Sequence, residues 1–257
     1  MSELLVVPFH SGFGSAARAA GPDALASAIG GDRRVLELAS DAPVEQVLED
    51  GFPRLKAAVA QQEEPLAVLG ECTLTPAFLA AVRERHPDVA LVWLDAHGDL
   101  NTPETTPSGF LGGMPFAVLL GWCHPEQRAA ATLDPPLPEN RAALVGARDL
   151  DPGEQDAVDR SDLVVSDDVT GALEGLPEDV PLWVHVDSDV LDPTVFPGCD
   201  FPAPGGWSAG QLREELQLLA DSGRVVAVSI CAGNPEKDPS LDGFRALAGA
   251  LGPLLDR

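Results

Sequence analysis

The sequence predicts an α/β domain built on a parallel sheet with helices on both faces. Short apolar runs alternate along the chain with longer stretches rich in Ala, Leu and Glu. Runs that are apolar on both faces are typical of strands buried between two helical layers. At 257 residues the chain has the length of one large α/β domain. The Pro-rich segments 134–138 and 197–204 coincide with no change of composition, so we expect a single domain over residues 1–257.

Eight apolar runs are candidate strands, and helical patterns lie between them. The clearest helix has the sequence SAGQLREELQLLAD, where Ser208 is a suitable N-cap and leucines recur every three or four residues. The candidate strands are 4–9, 35–38, 66–69, 89–94, 142–145, 163–165, 182–186 and 224–230. The candidate helices lie near 22–30, 53–62, 76–85, 113–121, 153–160, 168–175, 208–221 and 240–250.

Composition excludes several classes of protein. The chain has 41 acidic and 16 basic residues and a formal net charge of -25, so a nucleic-acid or anionic-membrane partner is not expected. No apolar run reaches the ~18 residues that a membrane helix needs. The four cysteines form no CxxC pair, and the start MSELLVVPF lacks the basic region of a signal peptide. A reducing, cytoplasmic compartment is therefore expected.

Two strands end in acidic clusters. The run LVWL leads into DAHGD, and alternation along a strand places Asp95, His97 and Asp99 on one face. The run PLWVHV leads into DSD, which likewise places Asp187 and Asp189 on one side. Hard oxygen donors with one imidazole suit Mn²⁺, or Mg²⁺ less well. Four carboxylates could neutralise two divalent ions at the ~3.5–4 Å separation of two-metal hydrolases.

These strand ends resemble the signatures of the arginase–agmatinase (ureohydrolase) family, present here as DAHGD (95–99) and DSDVLDP (187–193). The resemblance implies a three-layer αβα fold around a mostly parallel eight-stranded sheet. It also implies two Mn²⁺ ions bridged by a hydroxide that attacks an amidine carbon. The metal ligands carried over are the bridging Asp95 and Asp187 together with His97, Asp99 and Asp189.

A cysteine occupies the position of the family's first metal ligand. Where the family has GGDHS, the strand end here reads VLGECT, so Cys72 replaces a histidine. Three interpretations stay open: a thiolate ligand, a residue behind the ligands, or a small buried residue beside a weakened site. Because thiolate is a soft partner for Mn²⁺, one ion is expected to bind weakly or to be a different metal.

The resemblance extends to the loops that bind the amino-acid end of a substrate. NTPETTPSG resembles the arginase loop around the α-carboxylate, which assigns Asn101, Thr106 and Ser108 to that group. ARDLDPGE resembles the segment that receives the α-amino group, which assigns Asp151 and Glu154. DPGE is also a typical helix start, with Asp at the cap and Pro in the first turn. Both interpretations can hold, and together the loops favour an α-amino acid substrate.

The head-group end of the family's pocket is altered. Gly112 in SGFLGG replaces a proton-shuttling histidine, Ala232 in ICAGNP replaces a guanidinium-facing glutamate, and Phe201 stands in place of a threonine. The first of these changes resembles the Nω-hydroxyarginine hydrolase branch of the family. The candidate catalytic residues that remain are Asp99 and His185; the histidine could also support a carboxylate ligand or be an ordinary core residue.

Three functional hypotheses follow, of which the weakest is a family scaffold that acts on another amide or on a phosphate ester with the same two ions. The first is a manganese-dependent hydrolase of a linear C–N bond in an amidine or guanidine of an α-amino acid, such as an N-hydroxyguanidine. The alternative is a metal-binding protein with little or no catalysis and a binding or regulatory role. The resemblance also leaves a homo-oligomer open.

Overall fold

The computed structural model describes residues 3–38 and 42–255. It confirms the predicted α/β fold, with an eight-stranded sheet in which every paired strand is parallel and the order is β2-β1-β3-β8-β7-β4-β5-β6. The strands are β1 Leu4–Val7, β2 Arg33–Val35, β3 Leu66–Leu69, β4 Ala90–Leu94, β5 Ala142–Val145, β6 Val164–Ser166, β7 Leu182–Asp187 and β8 Val225–Cys231.

Helices cover both faces of the sheet, and each predicted helix is present with shifted ends. The helices are α1 Gly21–Ile29, α2 Val44–Ala60, α3 Thr75–Val82, α4 Pro115–Leu120, α5 Pro125–Ala131, α6 Pro152–Val158, α7 Val169–Gly175, α8 Ala209–Asp221, α9 Asp242–Ala250 and α10 Gly252–Leu255. Helices α2 to α5 pack together on one face, and α1 with α7 to α10 pack on the other. Because α5 and α10 are short, neither gave a periodic signal in the sequence.

Two element boundaries differ from the sequence prediction. Helix α2 begins at Val44 rather than near 53, because Pro53 lies inside the helix. A proline inside a helix removes a backbone hydrogen bond, but burial of Phe52 and Leu55 against the sheet offsets that loss. Strand β2 runs over Arg33–Val35 instead of 35–38, since an exposed edge strand tolerates charged side chains that hide its pattern.

Both faces of the central strands are buried, which explains their continuous apolar runs. Leu91 and Trp93 of β4 belong to one hydrophobic core, and Val92 and Leu94 belong to the core on the opposite face. Side-chain alternation in a strand sends successive residues to opposite sides. The two cores therefore lie on either side of one sheet, as the three-layer architecture requires.

The strand order brings four distant segments of the chain to one edge of the sheet. Strands β3, β8, β7 and β4 are consecutive neighbours, and all run in the same direction. Cys231 is aligned with both Leu69 and Asp187, and Leu94 is aligned with Val186. The loops that follow these strands therefore begin at nearly the same level.

Two further observations concern the apolar character of the helices and the state of the cysteines. Within the described ranges, none of the helices has the length and apolar character required to cross a bilayer. All four cysteines are free and buried.

The register of α8 can be tested with two leucines of the same helix. Leu216 is fully buried, whereas Leu218 is 43% exposed. Leu216→Ala is expected to lower the free energy of unfolding by about 2–5 kcal/mol, because it removes buried methyl groups and leaves a cavity. Leu218→Ala is the matched control, with an expected change within about 0.5 kcal/mol. Urea unfolding midpoints measure both; equal losses would show that the helix faces are wrongly assigned.

Candidate metal centre and substrate pocket

The segments that follow β1, β3, β4, β5, β7 and β8 line one pocket of about 450 Å³. All of the sequence-predicted site residues except His185 contribute to its wall. Ligand sites in parallel α/β sheets lie beyond the carboxyl ends of the strands, and this pocket has that position. The predicted wall residues are Cys72, Asp95, His97, Asp99, Asn101, Thr106, Ser108, Asp151, Glu154, Asp187 and Asp189.

Asp95, His97 and Asp189 form one group of potential ligands. One donor atom from each lies within 4.8 Å of the others. His97 Nδ1 is 3.1 Å from Asp189 Oδ2 and 3.5 Å from Asp95 Oδ1. Asp95 is fixed by Trp93 Nε1, which donates to its Oδ2 at 2.9 Å, and by the His97 backbone N–H, which donates to its Oδ1 at 2.7 Å. Two carboxylates and an imidazole therefore face one small volume.

Asp99 joins Asp95 and Cys72 in a second group within the same 4.8 Å limit. Asp99 is buried and has a φ of 51°, in the left-handed region that non-glycine residues seldom occupy. A strained backbone of this kind persists where surrounding contacts fix it, often at functional sites. Here it turns the chain so that the carboxylate of Asp99 returns to the end of β4.

The third group contains two sulfur atoms. Cys72, Asp187 and Cys231 each place a donor atom within 4.8 Å of the other two. Cys72 Sγ donates to Asp187 Oδ2 at 3.1 Å. Cys231 was not among the sequence candidates, because the last residue of an apolar strand gives no metal signal. Its place beside Cys72 follows from the register of β3, β7 and β8.

His185 lies behind Cys72, in the core rather than on the pocket wall. It is fully buried, and its Nε2 is 3.3 Å from Cys72 Sγ while its Nδ1 is 2.8 Å from Ser229 Oγ. Trp183 Nε1 can only donate, so Ser229 Oγ accepts from it at 2.9 Å and has its own proton available for His185 Nδ1. In the tautomer that accepts this proton at Nδ1, the ring N–H of His185 is on Nε2 and faces the sulfur. Burial lowers the pKa of His185 to about 3, so the ring is neutral.

The carboxylates of the pocket destabilise one another. Burial, followed by repulsion from Asp95 and Asp187, raises the pKa of Asp99 well above its ordinary value. Burial and the neighbouring Asp189 raise the pKa of Asp187 to about 6. Burial acts to lower the pKa of His97, but hydrogen bonds to Asp189 and Asp95 outweigh it and raise that pKa to about 12. All three pKa values are raised, which means that the pocket favours the protonated form of these groups and therefore added positive charge.

The three ligand groups differ in how well their donor atoms suit Mn²⁺. Carboxylate oxygens and one imidazole, as in the first group, are the donors that Mn²⁺ prefers. The third group offers two thiols, and burial raises the pKa of Cys72 well above its ordinary value. Thiolates favour softer metals than Mn²⁺. One half of the cluster therefore suits manganese, and the other suits it less well.

The loop after β4 is held by its own side chains. Thr106 Oγ1 accepts from the backbone N–H groups of Ser108 and Gly109 at 3.3 and 3.0 Å, and Ser108 Oγ accepts from the N–H of Phe110 at 3.2 Å. Asn101 is buried and donates from Nδ2 to Asp151 Oδ2 at 2.8 Å. These contacts connect the two segments that the sequence assigned to the two ends of an amino acid.

Asp151 and Glu154 form the capping box of α6. Glu154 Oε2 accepts from the Asp151 backbone N–H at 2.9 Å, and its Oε1 accepts from Leu100 N–H at the same distance. Both oxygens of this buried glutamate thus have backbone partners, so it connects α6 to the metal loop. Asp151 is half-buried at the pocket wall, and its carboxylate is the more available of the two.

Aromatic rings fill the space near the altered positions. A Cβ atom at Gly112 would lie 2.2 Å from the ring of Phe110, so no side chain fits there without displacing that ring. Phe110 stacks on Phe13 with centroids 4.6 Å apart and lies 5.4 Å from the ring of Phe201. Ala232 is buried at the pocket wall. The pocket therefore has an aromatic rim where the sequence lacks the expected polar groups.

Four further charged residues in the pocket wall escaped the sequence analysis: Arg18, Glu71, Asp149 and Asp200. Arg18 Nε is 3.2 Å from Asp200 Oδ2, and its Nη1 is 3.7 Å from Glu71 Oε1. Burial acts to lower the pKa of Arg18, but Glu71, Cys231 and Asp200 outweigh it and the pKa is raised. The segment SAARAAG around Arg18 carries no motif, so only the fold shows that this side chain reaches the site.

The sequence matches the model of the arginase family over residues 6–251. A curated relative from Streptomyces lavendulae, named N(omega)-hydroxy-L-arginine amidinohydrolase, is 34% identical over 171 residues, which cover 65% of this chain and 59% of that protein. The match therefore spans less than two thirds of that relative's length.

An arginase from Bacillus caldovelox is 30% identical over 219 residues, which cover 77% of this chain and 73% of the relative. The crystal structure of the arginase from Bacillus subtilis superposes with a TM-score of 0.87 at 25% identity and covers 99% of both chains. The family match includes every residue of the three ligand groups. The chain belongs to the arginase family.

Proposed function

We propose that this protein is a manganese-dependent hydrolase that cleaves a linear C–N bond in the side chain of an α-amino acid. The observation that carries the proposal is the sharing of ligands: Asp95 and Cys72 each belong to two of the three donor groups in one pocket. Shared ligands between adjacent groups are what a two-ion centre requires. The candidate bond is in an amidine or guanidine, with an N-hydroxyguanidine such as Nω-hydroxyarginine as the leading example.

The metal ions would be held by Asp95, His97, Asp99, Asp187, Asp189 and Cys72, with the ion near Cys72 bound more weakly. When bound, such ions lower the pKa of a water molecule toward neutrality and polarise the group under attack. Asn101, Thr106 and Ser108 would bind the α-carboxylate by neutral donors. Asp151 would bind the α-amino group, with Glu154 fixing the position of Asp151 through its backbone.

The two candidate catalytic residues take different parts in this proposal. Asp99 lines the pocket beside Asp95, so its carboxylate oxygens can take a proton from the attacking water and deliver it to the leaving nitrogen. His185 has no contact with the pocket and would act through Cys72, whose sulfur faces its Nε2 at 3.3 Å. We further propose a reducing, cytoplasmic compartment, supported by four free thiols. Formation of a homo-oligomer stays a prediction.

A second candidate function is metal binding with little or no catalysis, in a binding or regulatory role. It is favoured by Gly112 and Ala232, which leave the head-group end of the pocket without an acid or base at those positions. The two candidates differ in turnover alone, because both require the metal.

Turnover is tested with protein loaded with Mn²⁺ and its metal content measured by elemental analysis. Release of urea from L-arginine, of hydroxyurea from Nω-hydroxy-L-arginine, and of the corresponding product from other guanidino and amidino acids is then assayed. We expect product from at least one α-amino acid of the panel and a faster rate with Nω-hydroxyarginine than with arginine. If the fully loaded protein turns over none of them, the hydrolase proposal fails and the second candidate stands.

Replacement of one of the proposed ligands should weaken metal binding. Asp187→Ala is expected to weaken Mn²⁺ binding by more than about 100-fold, because even residues behind the ligands contribute 10–100-fold in other metal sites. Elemental analysis after dialysis against metal measures the stoichiometry. Asp156→Ala on the exposed side of α6 is the control and should bind as the unaltered protein does. Full stoichiometry in Asp187→Ala contradicts the ligand role.

We expect Cys72 to weaken Mn²⁺ binding at one half of the metal centre. Cys72→His is expected to raise Mn²⁺ affinity roughly tenfold, since an imidazole is a better donor to this ion than a thiol of high pKa. Cys199→Ser is the control, because Cys199 lines the same pocket but belongs to none of the three donor groups. Metal titration calorimetry compares the three proteins. Unchanged affinity in Cys72→His would remove Cys72 from the proposed ligand set.

A further inference from the structure

Arg18 places a fixed positive charge in the wall of the pocket. It lies in the turn Ala16–Ala20 between β1 and α1, and its side chain is 11% exposed. Its guanidinium carbon is 5.4 Å from the ring centroid of Phe110 and 5.7 Å from that of Phe201. Its ion-pair partner Glu71 directly precedes Cys72, which belongs to two of the metal-ligand groups. The guanidinium is therefore held at the metal end of the pocket.

The carboxylates around Arg18 already have partners. Glu71 Oε1 accepts from the N–H and the hydroxyl of Ser11 at 3.0 and 3.1 Å, in addition to its ion pair with Arg18. A second cation, Lys237, places its Nζ 2.9 Å from Asp200 Oδ1. Two acids and two bases thus form a network with no net charge. This part of the wall offers a cationic ligand no unpaired carboxylate.

Two buried polar atoms of the same network make no hydrogen bond within the described residues. Arg18 has five N–H donors, and its Nη1 has no hydrogen-bond partner among the described residues although it is buried. Asp200 Oδ2 is also without a hydrogen-bond partner in that part of the chain. Buried groups of this kind usually indicate an additional water or ligand. A neutral polar group that both donates and accepts would suit this part of the wall.

We infer that Arg18 determines the specificity of the pocket by selecting a substrate whose reacting group is electrically neutral over one whose reacting group is a guanidinium cation. The preferred classes are a ureido group, an amide, or an N-hydroxyguanidine in its unprotonated form. A guanidinium brought to the metal end would face both the metal ions and Arg18, whose neighbouring carboxylates Glu71 and Asp200 are already in ion pairs. The inference rests on the proposed function for the position of the substrate, but its test measures binding alone.

L-Citrulline and L-arginine are the probes, because they differ mainly by an uncharged oxygen in place of a charged nitrogen. Calorimetry at pH 7.5 on the Mn²⁺-loaded protein gives both dissociation constants. We expect citrulline to bind at least tenfold more tightly than arginine. Equal affinity, a preference for arginine, or no measurable binding of citrulline overturns the inference.

Variants of Arg18 then test whether its charge is the cause. Arg18→Met removes the charge and leaves Glu71 and Asp200 available, so the preference is expected to reverse toward arginine. Arg18→Lys keeps the charge and should keep the preference for citrulline, and Arg160→Met, on a largely exposed arginine, should change nothing. If folded Arg18→Met retains the original preference, or Arg18→Lys loses it, Arg18 is not the determinant. If Arg18→Met does not fold, the relative affinities of the unaltered protein and of Arg18→Lys for citrulline and arginine still test the inference.

These outcomes are separate from those of the turnover assay. If the protein binds citrulline more tightly than arginine but hydrolyses no substrate, the specificity assigned to Arg18 holds and the proposed function fails. If the protein hydrolyses arginine efficiently and binds it more tightly than citrulline, the proposed function holds and the inference about Arg18 fails.

Discussion

The repulsion among Asp95, Asp99, Asp187 and Asp189 is the constraint on which the rest of this structure depends. Their carboxylates are brought together at the carboxyl ends of adjacent strands, where burial and mutual proximity raise their pKa values. Burying uncompensated like charges costs several kcal/mol or more. The two apolar cores on either side of the sheet offset that cost, and a bound cation would remove much of it.

The surroundings of the carboxylates are built to hold them in place in spite of this repulsion. The indole of Trp93 and backbone N–H groups donate to Asp95 and Asp187. Arg148, placed by the loop after β5, donates to the backbone carbonyls of Asp189 and Val190 at 2.8 and 3.2 Å. A cluster fixed by so many contacts does not need to reorganise when an ion arrives, which favours tight binding.

The two ends of the pocket differ in chemical character. The end formed by Asn101 and Asp151 is polar and combines neutral groups with one acidic group, which is the combination that the proposed α-amino acid substrate requires. The metal end combines sulfur atoms, aromatic rings and the paired cation Arg18. Hard donors, soft donors and a guanidinium thus occupy one pocket. The departures at Gly112 and Ala232 thus belong to a pocket wall with its own charge pattern.

Local patterns in the sequence determined the fold class and much of the candidate site. Continuous apolar runs arise because parallel strands are buried on both faces, and DAHGD and DSDVLDP are contiguous, so spacing alone revealed them. The pairing of Cys231 with Cys72, the position of His185 behind the sulfur, and the reach of Arg18 into the pocket were decided by the tertiary structure alone. They depend on how the strands are ordered and aligned, which brings together residues as far apart as Cys72 and Cys231, separated by 159 positions. Short-range periodicity carries no information about such contacts, because the free energy that selects them comes from packing of the whole sheet.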